Sequence, residues 1–366
     1  MSLFVTINGR FLAQPITGVQ RFALETVKAL DQLLLEDADL ASRVRFQIAA
    51  PPRIGLDPCL HAIPLKQGGL AHRLVWEQFS LPRMARGGGL LNLANIGPLL
   101  FSGPQWIVMH DAAVFRHAEA YTWWYRLLYQ GLQPLLGKRA RAVMVPSSFS
   151  AHEIHHFMGI DPDAIRLLPG EGHQHLDAVQ EEPNTLERHD LTNKPFFLTV
   201  ASLSRHKNLQ GLIRALGQLP DLEFTMVLVG KRIPGVFEHC HLPEDRRVRQ
   251  LGFVSDGELK ALYSHARGLI QPSFYEGFGL PPLEAMACGC PLLVSNAGSL
   301  PELCDEAALY FDPAYPEEIA RAMRRLLEEP GLAGQLAEAG RKRAQRFSWK
   351  GTARKLSGII LEPDPG

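Results

Sequence analysis

The stretch GLIQPSFYEGFGLPPLEAM, residues 268–286, predicts a strand, a tight turn and the start of a helix in direct succession. Gly277 and Gly279 let the backbone bend sharply and approach a ligand without a Cβ in the way. Pro281 and Pro282 suit the first turn of a helix, where their missing N–H groups cost nothing. The free N–H groups and the positive dipole end at that helix start favour an anion such as phosphate.

Two carboxylates flank this turn, Glu276 before it and Glu284 about one turn into the helix. Carboxylates repel phosphate, so their place beside an anion site requires a ligand that also offers hydroxyl groups. Glu284 can accept two hydrogen bonds from a vicinal diol such as a ribose, and Glu276 can hold sugar hydroxyls. A strand, turn and helix with two solvated acids is the alternative, and it stays open at this point.

Short apolar or β-branched runs alternate with helical patterns along the chain, which predicts parallel sheets covered by helices. The predicted strands are 3–7, 45–50, 90–94, 106–111, 142–147 and 165–170, then 196–202, 224–230, 248–253, 268–273, 291–296 and 308–313. Residues 176–195 are polar and aperiodic, which indicates a linker. We therefore predict an α/β protein of two doubly wound, Rossmann-like domains facing a cleft, with ligands at the carboxyl ends of the strands.

Composition excludes several classes of function. Among the 366 residues, 38 basic side chains balance 38 acidic ones, so no global field would attract nucleic acid. The five cysteines are odd in number and scattered, which indicates a reducing compartment. With no signal peptide and no apolar run of about 18 residues, we expect a cytoplasmic protein that at most rests on a membrane surface. No G-x-G-x-x-G follows a strand, which argues against a nicotinamide or flavin enzyme.

Other candidate residues also follow predicted strands. Arg205 and Lys207 come after the first strand of the second half, beside a helix start, where two cations would attract a diphosphate. His110 ends the fourth strand, and Gly18 precedes the first long helix as a second glycine that a ligand can approach closely. Exposed loop cations and a buried structural histidine are the alternatives.

No carboxylate pair is placed to bring a divalent metal to such a diphosphate. The Asp-x-Asp motifs at 37–39 and 161–163 follow predicted helices, where solvated loops are expected. Arg205 and Lys207 would therefore neutralise the phosphates without a metal. Four histidines without metal-ligand spacing are expected at the surface: His155, His156, His173 and His175.

The stretch SFYEGFGLPPLEAMACGCPLLVSNAGSLPEL, residues 273–303, resembles the donor-binding segment of GT-B retaining glycosyltransferases, the sucrose-synthase and mannosyltransferase-like family 4. That family has a Glu, seven residues and a second Glu, and Glu276 and Glu284 show this spacing. Similar stretches cover most of the chain, most strongly from 196 to 350, and include SLSRHKNLQGLIRAL, LGFVSDGELKALYSHARGLIQPS, HDAAVFRH, VPSSFSAHEI and RFSWKGTARKL. RLVWEQFSLP, residues 73–82, resembles a segment of bacterial O-antigen, capsule and exopolysaccharide members.

The resemblance implies catalytic roles for four residues. Arg205 and Lys207 match the diphosphate-binding pair, Glu276 matches a donor-sugar contact, and His110 matches a cleft histidine near the reacting sugar. Glu284 matches the acid that binds the nucleotide ribose. The other implied donor contacts are Gly18 near the diphosphate, Val254 at the base, and the turn formed by Gly277, Phe278, Gly279 and Leu280. Many members have Gly-Arg before the Arg/Lys loop, whereas this chain has Ala-Ser at 201–202.

The resemblance further implies a retaining, metal-independent glycosyltransferase of bacterial polysaccharide synthesis, with no cofactor besides the nucleotide-sugar co-substrate. We expect mannose from GDP-mannose, with UDP and dTDP sugars left open, and a glycan or lipid-linked acceptor. Residues 1–185 would bind the acceptor and 190–346 the nucleotide sugar, with a final helix at 347–366 packing back on the first domain. A sugar-nucleotide epimerase or phosphorylase of the same fold, and a non-catalytic sugar-nucleotide-binding protein, are the alternatives.

Residues 121–142, YTWWYRLLYQGLQPLLGKRARA, interleave aromatic and basic side chains. Such a helix is typical of segments that rest against anionic lipid, and it predicts peripheral contact with the inner face of a membrane near a lipid-linked acceptor. A core helix with charged ends fits the same stretch equally well.

Overall fold

The computed structural model describes residues 2–70, 73–168, 172–192, 194–230 and 244–363. Its contacts divide the chain into two compact units. The first unit comprises Met1–Ala112, Leu127–Glu171 and Ser348–Gly366, and the second comprises Ala113–Arg126 and Gly172–Phe347. Among the described helices, none is both long enough and apolar enough to span a bilayer.

The first unit contains a parallel sheet that has seven strands within the described residues. The strands are β1 (Leu3–Asn8), β2 (Val44–Ala50), β3 (Leu65–Gln67), β4 (Gly89–Asn92), β5 (Gln105–Val108), β6 (Ala142–Val145) and β7 (Ile165–Leu167). They lie in the order β3-β2-β1-β4-β5-β6-β7. The sequence did not predict β3, because its residues Leu-Lys-Gln form a short edge strand without an apolar run.

The second unit contains a parallel sheet with six strands in the described part of the chain. The strands are β8 (Phe196–Val200), β9 (Thr225–Val229), β10 (Val248–Gly252), β11 (Gly268–Gln271), β12 (Leu292–Ser295) and β13 (Ala308–Phe311). Their order, β10-β9-β8-β11-β12-β13, repeats that of the first six strands of the other unit. Successive strand residues face opposite sides of the sheet. Leu198 accordingly packs in one buried cluster, while its neighbour Phe197 packs in another.

Helices follow most of the strands. They are α1 (Gly18–Glu36), α2 (Ala38–Arg43), α3 (Arg73–Val75), α4 (Leu81–Met84), α5 (Ala113–Arg116), α6 (Trp123–Arg139), α7 (Ser148–Met158), α8 (Gln174–Asp177), α9 (Thr185–Arg188), α10 (Leu209–Leu216), α11 (Asp256–His265), α12 (Leu280–Ala287), α13 (Leu300–Cys304), α14 (Pro316–Glu328), α15 (Leu332–Ala344) and α16 (Trp349–Leu361). The strand orders and the helices make each unit a doubly wound α/β fold, as predicted.

The strand order reverses direction between β8 and β11 in the second unit. Ligands of doubly wound sheets bind in the crevice at such a switch point, outside the carboxyl ends of the strands. The loop after β8 carries Arg205 and Lys207, and the turn after β11 carries Glu276. The topology therefore brings the two predicted strand-end segments to the same edge of one sheet.

Two segments belong to a different unit from the residues that directly precede them in the chain. Ala113–Arg126 belongs to the second unit, where the Tyr121 and His206 rings stack with centroids 6.0 Å apart. The C-terminal helix α16 belongs to the first unit, where Trp349 packs its ring edge-on against Phe22 of α1.

Residues 176–195, predicted to form a linker, are packed against the second unit where the structure describes them. Leu176 and Leu191 are buried in the same core cluster as Leu198 and Leu269. The short helix α9 lies within this stretch. The polar composition did not predict this packing, because only a few, widely spaced apolar side chains bury the segment in the core.

Candidate functional site

The loop after β8 forms a 3-10 turn, Arg205–Lys207, which ends at Asn208 in the left-handed conformation with φ +53°. The Asn208 side chain accepts a hydrogen bond from Gly211 N at the start of α10 and donates to Pro313 O at 2.7 Å. Asparagine adopts this conformation more readily than most residues and is a preferred helix cap. Asn208 therefore fixes the path of the backbone that presents Lys207.

Lys207 and Glu276 form an ion pair. The Lys207 Nζ lies 2.8 Å from Glu276 Oε1 and 2.9 Å from Oε2. Glu276 Oε1 also accepts hydrogen bonds from Gln271 Nε2 at 2.6 Å and from Ser273 Oγ at 2.8 Å. The two side chains are 18% and 10% exposed, so the pair is largely shielded from water. Two residues that the sequence placed on separate loops thus share one polar cluster.

The turn that carries Glu276 is held by residues after β12. Ser299 Oγ donates to Phe278 O at 2.8 Å, and Ser299 N donates to Glu276 O at 3.1 Å. Gly298 has φ +66°, and a Cβ there would lie 2.7 Å from both Glu276 N and Glu276 O. Neither Gly298 nor Ser299 is among the site residues that the sequence predicted. Both residues closely follow the predicted strand 291–296. The expectation that ligands bind at the carboxyl ends of strands would have pointed to them.

The glycine turn places backbone rather than side chains at the start of α12. Gly279 is the N-cap residue with φ +111°, a conformation that glycine adopts without strain. The Phe278 and Leu280 side chains are buried in the core, and so is that of Val254. Any ligand contact by these three residues would therefore run mainly through their backbone atoms.

Glu284 lies in the first turns of α12, and each of its carboxylate oxygens accepts a hydrogen bond. The Tyr263 hydroxyl donates to Oε2 at 2.9 Å, and His175 Nε2 lies 3.0 Å from Oε1. Burial, followed by the charge of Glu284, raises the pKa of Tyr263 well above its ordinary value, so this hydroxyl remains a donor. The expectation that His175 lies at the surface was wrong, because its side chain is only 4% exposed.

Arg205 is exposed and differs from Lys207 in its contacts. Within the part of the chain that the structure describes, its guanidinium has no ion-pair or hydrogen-bond partner. Lys207 in contrast is already bound to Glu276. Of the two predicted diphosphate ligands, Arg205 is the one whose charge is not committed to another protein group.

His110 and Gly18 lie in the first unit, apart from this cluster in the division of the chain. His110 Nε2 lies 3.0 Å from Leu93 O, and Phe22 packs edge-on against the ring. Burial lowers the pKa of His110, although the Leu93 contact and Asp111 oppose this. A neutral ring that donates from Nε2 keeps Nδ1 as an acceptor. Gly18 begins α1, is exposed, and has open space where a Cβ would point.

The two Asp-x-Asp motifs each supply a cap. Asp37 accepts a hydrogen bond from Leu40 N at the start of α2, and Asp161 accepts one from Asp163 N. The described residues contain no group of three or more His, Cys, Asp or Glu side chains arranged to hold a metal ion.

The sequence of the second unit matches a known family. Residues 182–343 match the family described as "Glycosyl transferases group 1". This range contains the Lys207–Glu276 pair and Glu284. The match lies within the second unit and covers under half of the chain.

Curated proteins similar to this chain include mannosyltransferases. The chain is 31% identical over 222 residues to O-antigen chain mannosyltransferase B of Escherichia coli, covering 58% of each protein. It is 32% identical over 228 residues to the serotype-specific mannosyltransferase WbdA of Escherichia coli, covering 59% of this chain but 28% of WbdA. It is 26% identical over 347 residues to O-antigen chain mannosyltransferase RfbU of Salmonella typhimurium, covering 88% and 91%. The chain thus spans under two thirds of the length of the first two relatives.

Solved structures identify the fold. Sucrose-phosphate synthase from Thermosynechococcus elongatus is similar with a TM-score of 0.73 at 20% identity, covering 98% of each chain. Anabaena HepE, solved with UDP-glucose, has a TM-score of 0.74 at 18% identity, covering 98% of this chain and 99% of HepE. The chain therefore has the GT-B fold, as the sequence predicted.

Proposed function

We propose that this chain is a retaining, metal-independent mannosyltransferase that moves mannose from GDP-mannose to a glycan or lipid-linked acceptor in bacterial polysaccharide assembly. The observation that carries the proposal is the cluster at the β8–β11 switch point. There Lys207 and Glu276 pair beside the start of α12, and Glu284 follows on the same helix. Cations, a helix N-terminus and two acids at one sheet edge suit a ligand that has both phosphates and hydroxyls.

Arg205 and Lys207 take the diphosphate in this proposal. Arg205 offers an uncommitted guanidinium, and Lys207 Nζ has three N–H donors, of which its contacts with Glu276 occupy two. Glu276 holds Lys207 in place and keeps acceptor capacity for a sugar hydroxyl. Glu284 accepts from the ribose diol, since a carboxylate has about four lone-pair sites and the protein occupies one on each oxygen.

Transfer breaks the bond from the sugar C1 to the diphosphate oxygen and forms a bond from C1 to the acceptor oxygen. The leaving diphosphate gains charge, and Arg205, Lys207 and the N–H groups at the start of α12 stabilise that charge. The acceptor hydroxyl proton passes to the leaving phosphate oxygen as the acceptor attacks from the same face. We assign His110 the role of a neutral hydrogen-bond acceptor toward a sugar hydroxyl, through Nδ1. In this scheme the cationic side chains take the place of a metal ion.

The choice of mannose is supported by the relatives, which are named as O-antigen mannosyltransferases. HepE was solved with UDP-glucose, so UDP sugars belong in any donor screen. The test is to incubate the purified protein with GDP-mannose, UDP-glucose and dTDP-glucose, each with mannoside and lipid-linked acceptors. We expect transfer from GDP-mannose and an α-linkage in the NMR spectrum of the product. A β-linkage contradicts retention.

Two controls separate this function from its alternatives. Donor incubated without acceptor remains unchanged in our proposal, apart from slow hydrolysis, whereas an epimerase would convert it. Tight donor binding without turnover on any acceptor would indicate a non-catalytic sugar-nucleotide-binding protein.

We also propose that α6 touches an anionic membrane surface. Trp123 and Leu127 on this helix are 70% and 69% exposed, and basic residues, Lys138 and Arg139, lie in its last turn. Exposed apolar side chains at one end of a helix and cations at the other suit the boundary between headgroups and acyl chains. Co-sedimentation with phosphatidylglycerol vesicles, but not with phosphatidylcholine vesicles, is expected, and Trp123→Ser should weaken it. Equal recovery in the supernatant with both vesicles contradicts the proposal.

A further inference from the structure

His175 is a nearly buried titratable side chain that the proposed reaction does not use. Its side chain is 4% exposed, and Nε2 lies 3.0 Å from Glu284 Oε1. The ring must carry a proton on Nε2 to donate to this carboxylate oxygen. We propose that His175 is a positioning residue, which aims the Glu284 carboxylate at the two ribose hydroxyls of the nucleotide. The inference rests on the proposed function, because that function places the ribose at Glu284.

The geometry of the carboxylate supports this role. Tyr263 donates to one oxygen and His175 to the other, from two different segments of the chain. Two donors on opposite oxygens fix the plane of the carboxylate, since rotation about its terminal torsion would break both hydrogen bonds. One lone-pair direction then remains on each oxygen. The two carboxylate oxygens, held side by side, match the two neighbouring hydroxyls of a ribose. A freely rotating carboxylate would present both oxygens to these hydroxyls in fewer of its orientations.

The segment that carries His175 is itself anchored. Lys260 Nζ donates to Leu176 O at 2.9 Å and to Val179 O at 2.8 Å. Gln174 Nε2 donates to Phe347 O at 3.0 Å, and the Leu176 side chain is buried in the core. The imidazole therefore projects from a fixed backbone, as positioning requires.

Preference for ribose over deoxyribose measures this role directly. Ribonucleotide binding uses both aligned oxygens, whereas a 2′-deoxyribonucleotide leaves one of them without a partner in a buried site. A buried acceptor left without its hydrogen bond typically lowers affinity by about tenfold or more. When the carboxylate can rotate, much of this preference is lost, because it no longer meets both hydroxyls together.

The experiment uses the full chain and isothermal titration. GDP, UDP, ADP and CDP are titrated first, and the tightest binder is then compared with its 2′-deoxy counterpart. We expect the wild type to prefer the ribonucleotide by about tenfold. His175→Leu should reduce this preference to about twofold, while His175→Gln, whose amide can still donate, should keep most of it. His189→Leu is the matched control, because it removes another histidine–glutamate contact of the second unit, 3.4 Å from Glu258 Oε1, without touching Glu284.

Melting curves and circular dichroism without nucleotide establish that each variant folds. If His175→Leu does not fold, His175→Asn replaces it, since its shorter amide cannot reach Glu284. Equal ribose preference in the wild type and in the variant without a donor overturns the inference while leaving the proposed function intact. Equal loss in His189→Leu also overturns it, because the effect would then not depend on the donor to Glu284. A wild type that binds none of the four nucleotides, or shows no ribose preference, contradicts the proposed site itself.

Discussion

At the scale of single residues, the Lys207–Glu276 pair combines stability with a proposed function in charge stabilisation. A largely buried ion pair is costly to break when the remaining charge has no other partner. In this pair, the free-energy cost depends on which of the two side chains is removed. Glu276 keeps Gln271 and Ser273 as donors if the lysine is removed, so its charge stays hydrogen-bonded. The lysine can therefore leave Glu276 for a phosphate without leaving an unsatisfied carboxylate behind.

Lys207→Met should separate these two roles. We expect kcat/KM for the donor to fall by about 10²–10³, as when one electrostatic donor to a developing charge is lost. The free energy of unfolding should change by only about 1 kcal/mol, because Glu276 retains two hydrogen bonds. Lys194→Met is the control, since Lys194 forms an exposed ion pair with Asp190 in the same unit. Full activity in Lys207→Met would show that the diphosphate binds elsewhere.

At the scale of elements, the turn between β11 and α12 depends on the segment after β12. Ser299 holds two carbonyls of the turn, and Gly298 packs its Cα face against the Glu276 backbone. A side chain at position 298 would push directly on the residue that pairs with Lys207. The close contact between the two segments, rather than either alone, sets the place of the carboxylate.

Gly298→Ala should therefore weaken donor binding as well as the fold. An alanine at positive φ costs about 1–2 kcal/mol, and the 2.7 Å distance from its Cβ to Glu276 N and O adds to this. Gly331→Ala is a matched control, because Gly331 has φ +82° with nothing within 4 Å of its would-be Cβ. Unfolding in urea and nucleotide titration check both variants. Equal losses in the two would mean that backbone strain alone is responsible and that the turn does not move.

At the scale of the whole molecule, each unit contains a buried imidazole whose pKa is lowered. Burial is the main cause for His110 in the first unit. Burial, followed by the charges of Lys207 and His117, lowers the pKa of His206 well below 6.5 in the second unit. An unfolded chain binds protons at these histidines near pH 6.5, whereas the folded chain does not, so folding loses stability as the pH falls below that value.

Melting midpoints should therefore drop between pH 7.5 and pH 5.5. His206→Gln should reduce the drop, because one group that takes up a proton only on unfolding has been removed. His155→Gln is the control, since His155 is exposed. Differential scanning calorimetry at the two pH values measures the effect. A drop in His206→Gln that equals or exceeds that of the wild type would contradict the assignment of this histidine.

Local patterns in the sequence determined the alternation of strands and helices, the two doubly wound halves and the strand-end segments that carry Arg205, Lys207, Glu276 and Glu284. These features depend on periodicity and on residues close together in the chain, which a sequence displays directly. Periodicity missed the short edge strand β3 and described 176–195 as a linker, because neither has a regular apolar pattern.

Only the tertiary structure decided which side chains meet. Lys207 and Glu276 are 69 positions apart, and His175 and Glu284 are 109 apart. Contacts at such separations depend on strand order and on the packing of one loop against another, so no local pattern encodes them. Gly298 illustrates the reason most simply. The sequence shows only that a glycine follows a strand, whereas the structure shows why it must be glycine: the Glu276 backbone occupies the space where a Cβ would lie.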